Sequence, residues 1–392
     1  MKEGWTCKKL GEVTMQISDG SHNPPKGIEF SDYPMLSSKN IFFDKFDYES
    51  PRYLSKEDFE AEKKRTNISE GDVLLTIVGT VGRTCCVNTP FKPFTLQRSV
   101  AVLKPKKDIL FPRFIMYFLH SLSNYWETEA KGVAQKGVYL KQVGNIQISF
   151  PSIFEQQKIV SELDLLSRTM EKQKAQMEEL DKLAQSTFYD MFGDPVTNDK
   201  NWEKTELGKT CIYITDGDHM PPPKAKFGVP FITISNIDKV NRDILFDDTF
   251  YVPIGYYNSL KEERKAKNGD VLYTVTGSYG IPVVIKSDNK FCFQRHIALL
   301  RPDKEKLNTS FLCYWVLCDS VKHMADDVAT GIAQKTVGLS SLRRFSIILP
   351  PLALQQEFAA KVEAIEQMKA KVRQSLKESE ELFNSRMDYY FN

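Results

Sequence analysis

Six sequence blocks occur twice in this 392-residue chain, in the same order, at offsets of 197 to 199 residues. DGSHNPP (19–25) returns as DGDHMPP (216–222), and GDVLLTIVGTVG (71–82) as GDVLYTVTGSYG (269–280). FTLQRSVAVLKP (94–105) returns as FCFQRHIALLRP (291–302), and GVAQKGV (132–138) as GIAQKTV (331–337). IQISFP (146–151) matches FSIILPP (345–351), and a Gln pair follows each, Gln156-Gln157 and Gln355-Gln356. A solenoid repeats every 20 to 50 residues, so a period this long means two homologous domains. Any fold must therefore be built twice over.

Within each copy the apolar blocks are short and rich in Val, Ile, Thr and Phe, bounded by Gly and Pro, which reads as strands. One helix-like stretch, Phe111 to Trp126 and again Phe311 to Met324, lies between the last blocks. The fold class expected is α+β. After each copy the period changes. Leu163, Leu166, Met170, Met177, Leu180 and Ala184 alternate spacings of three and four, with Gln173 in the one polar slot. Phe358, Val362, Ile365, Val372, Leu376 and Phe383 repeat the pattern, with Lys369 and Ser379 as polar slots. These are narrow a/d seams on helices of about 35 residues, roughly 50 Å long. Ser152 through Glu155 forms a capping box, and Gly193-Asp194-Pro195 stops the first helix. An isolated narrow seam would be exposed, so the two helices are expected to pair as an antiparallel coiled coil. Packing of each helix on its own domain is the other arrangement. The expected layout is a pseudo-twofold dumbbell. Recognition domains span 1–151 and 199–350, and spacer helices span 152–198 and 351–392. Such a molecule suits a linear target with two separated half-sites.

Composition narrows the function classes. The longest apolar run, Phe311 to Cys318, is too short for a membrane span, and the N-terminal MKEGWTCKKLGE has no signal core. The expected location is the cytoplasm, which the odd count of seven cysteines fits as free thiols. No CxxC pair has a matching partner, so no zinc site is expected. Residues 1–150 and 200–350 each hold 21 Lys and Arg against 17 Asp and Glu, whereas 151–199 hold 5 against 10. Two mildly basic blocks alternate with acidic ones, and a polyanion partner fits the basic blocks.

Catalytic motifs are missing: no HExxH, GxSxG or Walker A pattern occurs. Asn23-Pro24-Pro25 resembles the catalytic loop of enzymes that methylate amino groups of flipped DNA bases, but Lys26 stands where an aromatic should stack. The second copy has Met220 in place of Asn23, and Met cannot accept a hydrogen bond from a base. The shared element is a proline-stiffened DGxHxxP turn. The Asp19/His22 and Asp216/His219 pairs read as turn chemistry rather than as metal ligands.

Taken together, the duplicated DGxHxxP start, the GDVL block, the Gln-Arg block, the GxAQK block and the Pro…Gln-Gln lead-in to each long helix resemble the specificity subunits of Type I restriction–modification systems. The resemblance covers essentially the whole chain. It implies two target recognition domains, each reading one half of an asymmetric bipartite sequence in double-stranded DNA. It implies helices that set the gap and dock two modification subunits. It implies a chain with no catalysis and no cofactor of its own: S-adenosylmethionine serves the modification subunits, and ATP and Mg serve two restriction subunits. No membrane partner is implied.

The residues expected at DNA follow from side-chain chemistry. Ser21, His22, Lys26, His219 and Lys224 lie in the opening loops. Thr80 and Arg83 lie in the glycine loop of copy one, where Arg83 suits phosphate or guanine. Its counterpart is Ile281, so Ser278 and Tyr279 are the candidates in copy two. Gln97, Arg98, Gln294 and Arg295 recur in both copies, which leaves open base readout, phosphate contact and internal structure. Gln135, Lys136, Gln334 and Lys335 follow glycine in a small loop, which leaves open phosphate contact and a merely exposed loop. Two other classes stay open. A stand-alone adenine methyltransferase would bind S-adenosylmethionine by itself. A protein-binding adaptor would show no DNA affinity.

Overall fold

The computed structural model describes residues 2–129, 137–331 and 334–392. The chain divides into two compact units, 1–173 with 375–392, and 174–374. The long helices Ile153–Phe192 and Leu352–Phe391 each contribute one part to each unit. Neither helix forms a body of its own.

The duplication in sequence is a duplication in topology. The first unit holds an antiparallel four-stranded sheet in the spatial order Thr14–Asp19, Val100–Pro105, Val73–Thr76, Thr84–Cys86. The second repeats it as Cys211–Asp216, Ile297–Pro302, Val271–Thr274, Pro282–Val284. A three-stranded sheet accompanies each: Arg52–Tyr53, Pro34–Leu36, Thr95–Leu96, and Phe250–Val252, Val229–Ile232, Cys292–Phe293.

The central strands are apolar on both faces because both faces are covered. Val73, Leu75, Ala101 and Leu103 pack with Phe114, Tyr117 and Phe118. The alternate residues Leu74, Val100 and Val102 pack with Leu36, Ile41, Phe94 and Leu96. In the second unit Val271, Tyr273, Ala298 and Leu300 meet Phe311 and Trp315, while Leu272, Ile297 and Leu299 meet Ile232, Ile237 and Phe293. This is the period-two alternation of a strand.

Each helix-like stretch is two helices rather than one: Pro112–Ser121 with Ser123–Glu129, and Thr309–Leu317 with Asp319–Val328. The breaks fall at Leu122 and Cys318, the latter with an extended ψ of 136°.

The helical seams run as expected. Leu163, Leu180, Ala184, Phe358, Val362, Ile365 and Phe383 are buried, and Leu166, Met170, Met177, Val372 and Leu376 are half-buried. Pairing is antiparallel within each unit. In the first, Glu162 meets Arg386 and Tyr390, and Gln173 donates to Ser375 and Ser379 at 2.8 and 3.2 Å. In the second, Lys369 meets Asp181, and Phe188 and Phe358 ring centroids lie 5.5 Å apart. Packing of each helix on its own domain also occurs: Ile159, Val160 and Leu163 of the central helix join the first core, and Phe358, Val362 and Ile365 of the C-terminal helix join the second. Ser152 caps the central helix, its Oγ accepting from the Glu155 amide at 3.4 Å. Gly193, at φ 72°, ends that helix, where glycine adopts the left-handed region without penalty.

The first Gln of each pair is a clamp. Gln156 is fully buried; its amide donates to the carbonyls of Ile109 and Pro151 and accepts from the Phe111 amide, at 2.8 to 3.0 Å. Gln355 does the same with Lys306, Pro350 and Asn308 at 2.8 to 3.1 Å. Each ties the start of a long helix to the loop before the core helix. Gln157 and Gln356 are exposed.

Candidate nucleic-acid interface

The opening loop and the Gln-Arg turn are one structure. In the first unit the Ser21 amide donates to Leu96 carbonyl at 2.8 Å and the Arg98 amide donates to Ser21 carbonyl at 2.9 Å. The Gln97 amide reaches back to Leu36 at 2.9 Å. In the second unit Asp218 pairs with Phe293, Arg295 with Asp218, and Gln294 with Ile232, at 2.9 to 3.0 Å. The close approach explains the glycine before each: a Cβ on Gly20 would lie 2.0 Å from the Leu96 carbonyl oxygen, and one on Gly217 would lie 1.9 Å from that of Phe293. The backbone of the Gln-Arg turn is therefore structural. The side chains of Arg98 and Arg295 project into solvent and form no ion pair among the described residues.

His22 and His219 are exposed, with Nε2 at 2.6 and 2.8 Å from Asp19 and Asp216. Asp19 is buried, and Arg65 supplies its counter-charge at 2.7 Å. Arg264 stands 3.9 Å from Asp216 and 3.5 Å from Asp218. An Arg shortly before each GDVL block was the sequence signal for these partners, and sequence reasoning missed it. Ser21 is buried, its hydroxyl donating to Glu62 at 3.0 Å, and so points inward. Lys26 is exposed, and Lys224 is exposed with Nζ 5.1 Å from the Phe250 ring centroid.

The glycine loops are braced from below by a buried threonine. Thr76 Oγ1 donates to the Thr80 carbonyl and accepts from the Arg83 amide; Thr274 Oγ1 does the same with Ser278 and Ile281. Gly79 and Gly82 have φ of 82° and 93°, Gly277 and Gly280 of 70° and 93°. Thr80 and Ser278 are lifted into solvent at the tips. Arg83 is half-buried, donating to the Ile41 carbonyl at 3.3 Å with its guanidinium 5.3 Å from the Phe42 ring centroid. Ser278 accepts from Lys239 at 2.8 Å, and Tyr279 donates to Asp326, which raises the phenol pKa.

Two concave surfaces gather part of this set, and Lys26, Thr80, Arg83, His219, Lys224 and Arg295 line neither. In the first unit a groove of about 570 Å³ is lined by Asp19, His22, Arg65, Val78, Arg98 and Tyr139. Tyr139 is 76% exposed, and sequence reasoning overlooked it. In the second a groove of about 470 Å³ is lined by Ser278, Tyr279, Lys322, Asp326, Gln334 and Lys335. Gln135 and Lys136 lie outside the described residues. Exposed cations beside an aromatic or hydroxyl suit phosphate and base edges. Among the described residues no group of three or more His, Cys, Asp or Glu could hold a metal ion. Among them no helix is long and apolar enough to cross a membrane.

Comparison with known proteins agrees with this geometry. The chain is 22% identical over 395 residues to the StySPI specificity subunit of a type I restriction enzyme from Salmonella potsdam, covering 93% of this chain and 82% of that one. Its fold is similar to that of the S subunit of a Type-I restriction-modification system from M. genitalium, with TM-score 0.57, 13% identity and coverage of 99% and 96%. It is also similar to a chain solved in a study of assembly and conformational transition of the type I R-M system, with TM-score 0.55, 20% identity and coverage of 100% and 98%. The family profile described as Type I restriction modification DNA specificity domain matches residues 2–182 and again 186–379. Two such matches, one per topological repeat, span nearly the whole chain, which therefore belongs to the Type I restriction–modification DNA specificity family.

Proposed function

We propose that each unit reads one half of an asymmetric, bipartite double-stranded DNA target, and that the paired helices set the gap and dock two modification subunits. One observation carries this reading. The two units share a backbone frame but present different side chains from it. Arg83 is matched by Ile281, Thr80 by Ser278, and Tyr139 by Gly338. Identical frames with different faces recognise two different half-sites, whereas identical faces would read a palindrome. Residues 1–151 and 199–350 are the readers; 152–198 and 351–392 are the spacers.

Docking is supported by apolar residues left uncovered on the helices. Leu165 and Leu382 are 66% and 50% exposed in the first unit; Leu183 and Met368 are 47% and 44% exposed in the second. Surface of this kind fits a protein partner. The chain contributes recognition and no chemistry. The modification subunits use S-adenosylmethionine, and two restriction subunits use ATP and Mg, in the cytoplasm where the DNA lies.

The test is a genome-wide map of N6-methyladenine in the host with and without the gene. Loss of one motif, made of two short halves around a fixed unspecified gap, is expected. Loss of a continuous motif points to a self-contained methyltransferase, and an unchanged map with an active modification subunit overturns the reading.

A further inference from the structure

Each unit carries a short hairpin with a tip residue of positive φ, and both tips reach the long helices. In the first unit the hairpin strands are Ile41–Phe42 and Lys45–Phe46, with Asp44 at φ 58°. Arg113 grips Asp44 through both terminal nitrogens, at 2.8 and 2.6 Å. The same guanidinium holds Asp164 of the central helix at 3.0 and 2.7 Å, and the Tyr117 hydroxyl donates to Asp164 at 2.7 Å. The side chains of Arg113, Asp44 and Asp164 are 17%, 17% and 13% exposed. Only the planar fork of arginine can serve two carboxylates in this way.

That hairpin also holds the glycine loop. The Asp44 amide donates to the Thr84 carbonyl at 2.9 Å, and the Ile41 carbonyl accepts from Arg83, which closes the loop 79–82. A continuous path therefore runs from Asp164 on the helix, through Arg113 and the hairpin, to the loop.

The second unit makes the same connection with unrelated side chains. Its hairpin strands are Ile237–Asp238 and Asp243–Ile244, with Arg242 at φ 53°. Arg242 donates to Asp181 of the central helix at 2.7 Å, and Asp181 also holds Lys369 at 2.9 Å. The neighbouring Asn241 accepts from Arg373 at 3.1 Å. In the same turn Lys239 donates to Ser278, in the loop 277–280. The tip is acidic in one unit and basic in the other, and Ser310 stands where Arg113 would be.

Buried ion clusters contribute little net stability over apolar packing, and in some proteins they fix geometry instead. A connection built twice from different residues, between the same two places, is better explained by position than by stability. We propose that the hairpins 41–46 and 237–244 are struts that hold the glycine loop of their own unit in register with the long helices. Asp44, Arg113, Arg242 and Asp181 are then positioning residues for DNA recognition. This rests on the recognition role proposed above.

The test uses Asp44→Asn and Arg242→Asn in the full-length chain. Asn tolerates the left-handed backbone at both tips. The first variant leaves Arg113 with Asp164, and the second leaves Asp181 with Lys369, so both should fold. The complex purified through a tag on the chain is offered a pool of randomised duplex DNA, and retained sequences are read. Asp44→Asn should lose about tenfold in discrimination within one half-site, the amount one bidentate base contact supplies, and keep the other half-site intact. Arg242→Asn should do the reverse. Discrimination unchanged in both halves, or falling equally in both, overturns the struts. If the unaltered complex selects no sequence, the recognition role fails instead. Amide hydrogen exchange then decides the mechanical link. Exchange about tenfold faster at Gly82 in Asp44→Asn alone, and at Gly280 in Arg242→Asn alone, supports it. Unchanged exchange overturns it.

Discussion

The ammonium of Lys369 lies 2.9 Å from the carboxylate of Asp181, and Lys369 is only 3% exposed within a mostly apolar seam. Glu366 stands 3.1 Å away on the same helix. The charge is thus satisfied twice, and the pair ties the two long helices at one register.

Removing each partner of this pair has a different consequence. Lys369→Met should leave stability within about 1 kcal/mol of the parent, because an apolar side chain of similar length replaces a desolvated ion. Asp181→Ala should cost about 2 kcal/mol, because a buried ammonium then loses a charged hydrogen bond. Urea unfolding of both variants gives the comparison, and an equal loss in both would contradict it.

The glutamine clamps predict a sharp contrast between neighbours. Gln156→Ala leaves the Phe111 amide and the Ile109 and Pro151 carbonyls without their partner. It should cost about 3 kcal/mol, as should Gln355→Ala. Gln157→Ala and Gln356→Ala, one residue on and exposed, should change stability by less than about 0.5 kcal/mol. Thermal unfolding of the four variants is the check.

Arg98 and Arg295 recur in both units, so they are expected at phosphates. Arg98→Ala should weaken binding to every duplex alike and reduce the slope of log affinity against log salt by about 0.9. Arg295→Ala should do the same. A variant that relaxes the preference at a single base pair, with the slope unchanged, would assign that arginine to base readout instead.

Acid stability has a predictable contribution from Glu162. Hydrogen bonding by Arg386 and Tyr390 holds its carboxyl below the ordinary value of 4.5, against a smaller opposing effect of burial. A lowered folded-state pKa stabilises the protein above the unfolded value, and the contribution is lost as pH falls through the folded one. Glu162→Gln should therefore be less stable than the parent at neutral pH. The difference should shrink below about pH 4.5. Urea midpoints measured from pH 7 to pH 3 would show this, and a constant difference across the range would contradict it.

If the helices set the gap, lengthening them should widen it. Seven residues inserted into both, two turns each, add roughly 10 Å, or about three base pairs of rise. Selection from randomised duplexes should return the same two half-sites farther apart, and an unchanged gap would rule out the ruler.

Local pattern carried much of the architecture. The paired blocks announced two homologous units, and the spacings of Leu163 to Ala184 and Phe358 to Phe383 announced the seams, including the polar slots at Gln173 and Lys369. The caps at Ser152 and Gly193 were equally legible. All of these are periodic or short-range signals, and a periodic element imposes its pattern on consecutive residues. Tertiary structure alone decided which distant residues meet. Arg113 joins Asp44 and Asp164 across separations of 69 and 51 residues, and Gln156 clamps a loop 45 to 47 residues earlier. Arg65 reaches Asp19 across 46 residues. Ser21 looked like a surface contact because its loop is polar, yet Glu62, 41 residues away, takes its hydroxyl inside. No spacing rule links such pairs, because the path of the intervening chain sets the distance between them. That path depends on how both faces of each sheet are covered.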